Sequence, residues 1–296
     1  MISKKRFAII VNPAAGKGKT MRKLSVLKEL AARIQSRFEY FITEKPYHAA
    51  RISDRIHKRY DGIIAFGGDG TANEVMNGLA GTDTPMGIIP IGTGNDFARS
   101  INVPKSIERA LQIIHNYQTR IIDLGTIGER LFMNGVGIGF DGYVNLKSKS
   151  VKFFKGSLSY LYGIFSSLAF WKAIPMQIEI DDQLLPTKRS FLFAVGNGWS
   201  VGGGLILTPD ALLDDQALDI CHIADVPVGK ILLNFGRLKT GTIGEVREVT
   251  LTKAKKIRIK SDYPLPTHFD GEFYQPLARE LNIKIVPQSA VVIGAW

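Results

Sequence analysis

The chain has 296 residues, of which 45% are hydrophobic and 22% charged, and its formal net charge is +11. That balance excludes a disordered or fibrous chain and leaves room for two domains with real cores. The charge calls for an anionic partner, which could be a nucleic acid, a nucleotide or the negative face of a membrane, and composition does not choose among them. The single cysteine, Cys221, sits in an apolar stretch and cannot close an internal disulfide, which fits a reducing compartment and a buried structural thiol.

In chain order, a basic start is followed by an apolar run of only five residues, 7–11, too short for a signal-peptide core, so a cytosolic protein is expected. Runs 7–11, 38–42, 62–66 and 86–89 read as strands, and the segments 21–36, 47–58 and 72–79 between them read as helices. A helix over 106–116 closes this half, with Ser106 as its N-cap and Glu108 in its first turn. Such alternation predicts an α/β domain over 1–122, a parallel sheet with helices on its faces and ligands at the carboxyl ends of its strands.

From Arg120 the pattern turns β-rich. Strands are expected at 120–124, 131–136, 176–180, 190–195, 217–223, 249–251, 256–259, 281–286 and 290–293, with helices near 157–171 and 228–238 and a hairpin turn at Asp181-Asp182-Gln183. The expectation is a second, mostly antiparallel, sandwich-like domain over 123–296, whose last strand, about 287–296, could return to the first. The longest uncharged run, 156–171, is flanked by Lys155 and Lys172 and interrupted by serines and Gly163. A spanning helix needs about 20 apolar residues, so this run reads as buried or interfacial.

Three glycine-bearing loops follow strands of the first half: 12–19 after the first, 67–74 after the third and 90–99 after the fourth. Glycine lets a backbone approach a phosphate closely, and amides at the next helix N-terminus point at the anion. Generic fingerprints fail beside this cluster. Gly18-Lys19-Thr20 ends like a Walker A loop, but Pro13 stands where its first glycine belongs. Gly137-x-Gly139-x-x-Gly142 matches a dinucleotide loop without the acid expected about 20 residues on. Gly198-Trp199-Ser200-Val201-Gly202 spells a hydrolase elbow, yet no helix pattern follows its serine. The histidines 48, 57, 115, 222 and 268 have no metal-ligand spacing and read as surface or packing residues.

Gly67-Gly68-Asp69-Gly70-Thr71 with Asn73-Glu74, followed by 91–99 (IGTGNDFAR), resembles the signature of the diacylglycerol kinase and sphingosine kinase superfamily, closest to its soluble bacterial lipid kinases. The likeness extends to Asn197-Gly198, Gly202-Gly203-Gly204, Pro209-x-Ala211, Leu213-Asp214-Asp215 and Asp270-Gly271-Glu272. It implies ATP and Mg2+ in a cleft between the domains and an acceptor lipid entering from the second. The nucleotide would be lined by Asn12, Pro13, Ala14, Ala15, Gly16, Thr43, Gly67, Gly68, Asp69, Gly70, Thr71, Ala72, Asn73 and Thr93. Asp69 would help hold the catalytic Mg2+ through water, with Lys17, Asp96 and Arg99 as the surrounding charge network. Asp270 or Glu272 would take the lipid hydroxyl's proton. From spacing alone, those two acids read as a solvated turn. A second Mg2+ would sit on the Asp215 carboxylate and the carbonyls of Leu212 and Ala217. There Gln216 replaces the family's usual glycine, and an ordinary acidic turn competes.

The aromatic segment 151–171, with Lys147, Lys149, Lys152, Lys155 and Lys172, has what an interfacial element needs, against the plainer reading of a core helix. The partners expected are therefore ATP and a lipid on an anionic membrane surface, reached peripherally from the cytoplasmic side. No nucleic-acid reader motif is recognisable, and a homodimer is left open. The rival readings are an NAD kinase, which shares the Gly-Gly-Asp-Gly loop, and a catalytically silent nucleotide- or lipid-binding regulator. The 92–99 block and the Asp270-Gly271-Glu272 loop favour the lipid branch.

Overall fold

The structure, a computed structural model, describes residues 4–150 and 157–296, with the backbone alone described over 148–150 and 157–161. It divides into two compact units, Met1–Ile122 with Gln288–Trp296, and Asp123–Pro287.

The first unit alternates β1 (Arg6–Val11), α1 (Ala15–Ala32), β2 (Arg37–Ile42), α2 (His48–Ile56), β3 (Gly62–Gly67), α3 (Asp69–Leu79), β4 (Met86–Pro90), α4 (Asp96–Ser100) and α5 (Ile107–Asn116). The strands pair in parallel in the order β2-β1-β3-β4. Residues Phe7–Val11 are wholly buried, and β3 and β4 are buried along their length, as the unbroken apolar runs of a two-sided parallel sheet require. Ser106 caps α5 by accepting the Arg109 N–H at 3.3 Å. Regular helix in α1 begins only past Gly18, because Gly16, Lys17 and Gly18 all hold positive φ, and it stops at Ala32 rather than running to residue 36. The short helix α4 was not expected from the sequence.

The second unit begins within β5 (Thr119–Ile127) and continues through β6 (Arg130–Phe132), β7 (Gly135–Gly139), α6 (Phe140–Ser150), α7 (Ser157–Leu168), β8 (Ile174–Ile180), β9 (Gln183–Leu184) and β10 (Lys188–Gly196). After β11 (Ser200–Val201), β12 (Leu205–Ile206), β13 (Leu218–Ala224), α8 (Val228–Asn234), α9 (Arg237–Thr240), β14 (Val249–Ala254), β15 (Lys256–Leu265), β16 (Thr267–Phe269) and β17 (Glu272–Phe273) comes the long strand β18 (Ala278–Ile293). These strands pair antiparallel, β10 with β7, β8 and β13, β13 with β14, β8 with β15, and β15 with β18, whereas the far end of β18, which belongs to the first unit, pairs in parallel with β4 at Val292 and Met86. Asp181 and Asp182, both at positive φ, make the two-residue turn joining β8 to β9.

Strand β10 shows how this unit buries two layers. Phe193 and Val195 pack into a sandwich core with Ile138, Ile178, Ile220 and Ile259, while Leu192 and Ala194 face a second core with Phe140, Ile164, Leu168 and Cys221. Burial pushes the Cys221 thiol up to about 12, which keeps it inert.

Three sequence expectations need correction. The strand expected over 131–136 breaks at Met133-Asn134, whose amides turn to a carboxylate described below. The two strands expected at 281–286 and 290–293 are one, β18. The helix expected over 228–238 is two pieces, α8 and α9, separated at Gly236. No helix among the described residues is long and apolar enough to cross a membrane.

Candidate functional site

In the first unit, the three glycine loops leave the carboxyl ends of β1, β3 and β4 and touch one another. Asn12 donates through Nδ2 to the Thr71 hydroxyl at 3.0 Å, tying the first loop to the second, and accepts the Ala14 N–H at 3.0 Å on Oδ1. The Ile91 N–H donates to the Gly67 carbonyl at 2.7 Å, tying the third loop to the second. Glycine is required at these crossings. A Cβ on Gly67 would sit 2.4 Å from the Thr71 hydroxyl, one on Gly92 2.7 Å from the Gly68 Cα, and one on Gly16 2.9 Å from the Ile91 carbonyl.

Asp69 opens α3 and accepts the Asn95 N–H on Oδ2 at 2.7 Å. Gly94 lies between two carboxylates, since a Cβ there would be 2.9 Å from Oδ2 of both Asp69 and Asp96. Arg99 donates to the Gly94 carbonyl at 2.9 Å. Thr43 is buried at the end of β2, its N–H bonded to the Val11 carbonyl at 2.9 Å. Lys17 and Thr93 are exposed on their loops. Asn73 is buried one turn into α3, where its Oδ1 accepts from Asn77 at 3.0 Å. The rim therefore gathers Asn12, Gly16, Gly67, Gly68, Asp69, Thr71, Asp96 and Arg99. It offers the N-terminus of α3, two carboxylates and a guanidinium, a set suited to a polyphosphate and its cation.

In the second unit, Asp270 and Gly271 form the positive-φ turn between β16 and β17, with Phe269 opposite Glu272. The two acids have different surroundings. Asp270 is buried, and its carboxylate accepts the N–H groups of Met133 (2.8 Å), Asn134 (2.9 Å) and Gly135 (3.0 Å). That corrects the plain sequence reading of two solvated acids, and it explains the break between β6 and β7. The Gly271 carbonyl accepts from Asn145 at 3.0 Å, pinning the turn from α6. Glu272, half-buried, follows at the head of β17.

Beneath the turn, His268 and Asp141 form a buried pair, Nε2 to Oδ2 at 2.8 Å. This pair and the Pro266 backbone account for two of the three glycines in the 137–142 pattern. A Cβ on Gly137 would sit 2.1 Å from Asp141 Oδ2 and 2.4 Å from His268 Nε2, and one on Gly142 2.2 Å from the Pro266 carbonyl. Those glycines serve packing. Ser200 is buried on β11, where a hydrolase nucleophile would need a helix. The other histidines also bond locally: His48 to the Glu44 N–H, His57 to Thr84, His115 to Ser36 and His222 to Ser190.

At the expected second metal site, Gln216 adopts φ +60°, so the left-handed turn forms without glycine. Its N–H donates to Asp123 Oδ2 at 2.6 Å, and the Asp123 N–H donates to the Leu213 carbonyl at 2.6 Å. The Asp215 carboxylate accepts the Ala217 N–H on Oδ1 and the Lys253 ammonium on Oδ2. Leu212 is exposed on the loop. Among the described residues, no three His, Cys, Asp or Glu side chains gather as a metal-holding group. Sequence reasoning missed Asp123, Asp141, Asn145 and His268. An aspartate inside the apolar stretch 121–124 was the one available signal.

Of the aromatic segment, 151–156 and the side chains of Lys149, Leu158, Tyr160 and Leu161 lie outside the described residues. Beyond them Ile164 and Leu168 are buried, as a core helix requires, whereas Tyr162, Phe165 and Phe170 are exposed. The Phe165 ring packs on Phe235 with centroids 5.3 Å apart, and the nearby α8 leaves Leu232 and Leu233 exposed, Leu233 at 87%.

The comparisons with known proteins agree on one kind of relative. Residues 6–127 match the model of the diacylglycerol kinase catalytic domain, and residues 134–294 match that of the YegS C-terminal NAD kinase beta sandwich-like domain. The chain is 35% identical to a protein of Staphylococcus haemolyticus named diacylglycerol kinase, over 93% of this chain and 85% of that one. It is 32% identical to one so named from Mycobacterium tuberculosis, over 79% and 78%. A crystal structure of a diacylglycerol kinase from Bacillus anthracis superposes with a TM-score of 0.80 at 27% identity, covering 100% of this chain and 98% of that one.

Proposed function

Since the chain belongs to the diacylglycerol kinase family and is thereby a phosphotransferase, we propose that it moves the γ-phosphoryl group of ATP onto the hydroxyl of diacylglycerol or a related lipid. The contact of three glycine loops at one rim carries this reading, because their crossing brings the N-terminus of α3, the Asp69 and Asp96 carboxylates and the Arg99 guanidinium together. The amides of 67–71, with Lys17 and Arg99, would hold the phosphates. Asp69 and Asp96, whose Oδ2 atoms flank Gly94, fit a hydrated Mg2+, which when bound supplies neutralisation of the phosphate charge.

Glu272 is the better base of the two acids in the 270–272 turn. Both Asp270 oxygens are committed to backbone amides, and accepting a proton there would sacrifice at least one of those bonds. Asp270 instead fixes the turn that presents Glu272, which would accept the lipid hydroxyl's proton as the oxygen attacks phosphorus. Exposed Tyr162, Phe165, Phe170, Leu232 and Leu233 and the net charge of +11 support peripheral contact with the inner, anionic face of a membrane.

The test is an ATP and Mg2+ assay against a panel of diacylglycerol, ceramide, sphingoid base, glycerophospholipid and NAD, with Asp69→Ala as the inactive control. Diacylglycerol or another lipid is the expected acceptor. Phosphorylation of NAD and of no lipid would replace this reading with the NAD kinase one.

A further inference from the structure

The acidic loop of the second unit already contains a cation. Lys253 lies on β14 directly opposite Asp219 of β13, so sheet register delivers its side chain to the loop. Its Nζ donates to Asp215 Oδ2 at 2.6 Å, Asp219 Oδ2 at 3.0 Å and the Asp210 carbonyl at 3.4 Å. An ammonium has three donors and here meets three oxygens. The other Asp215 oxygen accepts the Ala217 N–H at 3.1 Å, and the turn itself is held by buried Asp123 through the Gln216 N–H.

These residues do not fit the divalent ion that the family likeness implies on Asp215, Leu212 and Ala217. Mg2+ demands near-octahedral oxygen ligands at about 2.0–2.1 Å. An ion on the Asp215 carboxylate would stand beside an ammonium bonded to that same carboxylate, and like charges at that range repel strongly. The left-handed turn at Gln216 is held by its own N–H on Asp123 Oδ2.

We propose that the Lys253 ammonium is the resident cation of the 210–219 loop, replacing a divalent metal ion there. The loop is then structured irrespective of Mg2+, and the metal requirement of the enzyme is confined to the nucleotide. This does not depend on which acceptor is phosphorylated, and its test omits nucleotide, so the two readings fail separately.

Thermal unfolding is followed in EDTA and in Mn2+ for the wild type, Lys253→Met, Asp215→Asn and the double variant, with bound Mn2+ counted by electron paramagnetic resonance. The wild type should melt at the same temperature in both and hold no Mn2+ that Asp215→Asn removes. Lys253→Met should melt several degrees lower. It should regain part of that loss in Mn2+, with one ion bound per chain, and the double variant should not. An Asp215-dependent Mn2+ ion in the wild type overturns the proposal. So does a Lys253→Met protein that melts like the wild type. If Lys253→Met does not fold, the wild-type Mn2+ count decides alone.

Discussion

The rim of the first unit and the acid turn of the second are built on opposite principles. At the rim Asn12, Asp69, Asp96 and Arg99 each follow closely in sequence on a strand of the same sheet, and the loops need small residues because they cross. In the turn, Asp270 is held by amides 135 to 137 residues away in sequence. Local motifs therefore identify the rim, while the chemistry of the turn depends on pairings between distant segments. Perturbing the rim should impair nucleotide binding, and perturbing the turn should separate catalysis from stability.

The largest effect is expected where the turn meets the reaction. Glu272→Gln keeps the size and the strand pairing with Phe269 but cannot take a proton. We expect kcat to fall by about 10²–10⁴ with little change in melting temperature or ATP affinity. Steady-state kinetics together with nucleotide binding check this, and near-normal turnover would return the base role to Asp270. Asp270→Ala should behave differently, because it strands the buried N–H donors of Met133 and Asn134 and the part-buried one of Gly135, at about 1–3 kcal/mol for each buried donor. Its midpoint in urea should drop as well as its activity, and a variant that lost activity at full stability would show Asp270 acting in the chemistry directly.

At the rim the expected cost is smaller. Gly92→Ala puts a methyl 2.7 Å from the Gly68 Cα, and separating the two loops should cost about 1–3 kcal/mol. The loss should appear as a raised KM for ATP with the lipid KM unchanged. Equal effects on both substrates would mean that the loops do not grip the nucleotide.

Much of the fold was legible for the same reason as the rim. Buried strands such as β1 and β3 are unbroken apolar runs, and the Asp181-Asp182 turn announces itself by residue type. The break at Met133-Asn134 was not legible, since 131–136 reads as one strand until Asp270 is known to draw its amides. Helix α6 was missed because Gly139, Gly142 and Asp141 look like punctuation. Gly139 in fact turns the chain at φ +82°, Asp141 pairs with His268, and Gly142 makes room for the Pro266 carbonyl. The aspartates at 214–215 were recognisable as a loop, but Lys253, which the neighbouring strand β14 brings in, was not. In each case the missing information is a partner brought in by sheet register.

The smallest predicted effect probes a cross-strand contact away from the chemistry. Ser190 and His222, on neighbouring strands β10 and β13, hydrogen-bond at 2.8 Å through the His222 Nε2. Burial, and to a lesser extent the Lys188 charge, hold the His222 imidazole below its usual range. An unfolded histidine titrates near pH 6.5, at about the model-peptide value. As pH falls through that value the unfolded chain binds a proton that the folded chain does not, so this group lowers stability on the acid side and contributes no slope above it. The slope can reach at most about 1.4 kcal/mol per pH unit and ends at the folded pKa. His222→Gln keeps a polar partner for Ser190 but removes the titration. Urea midpoints at pH 7.5 and 5.5 should therefore differ less in the variant than in the wild type. Equal differences would mean that the imidazole is as readily protonated in the folded sheet as in the open chain, and that this pairing places no constraint on its charge.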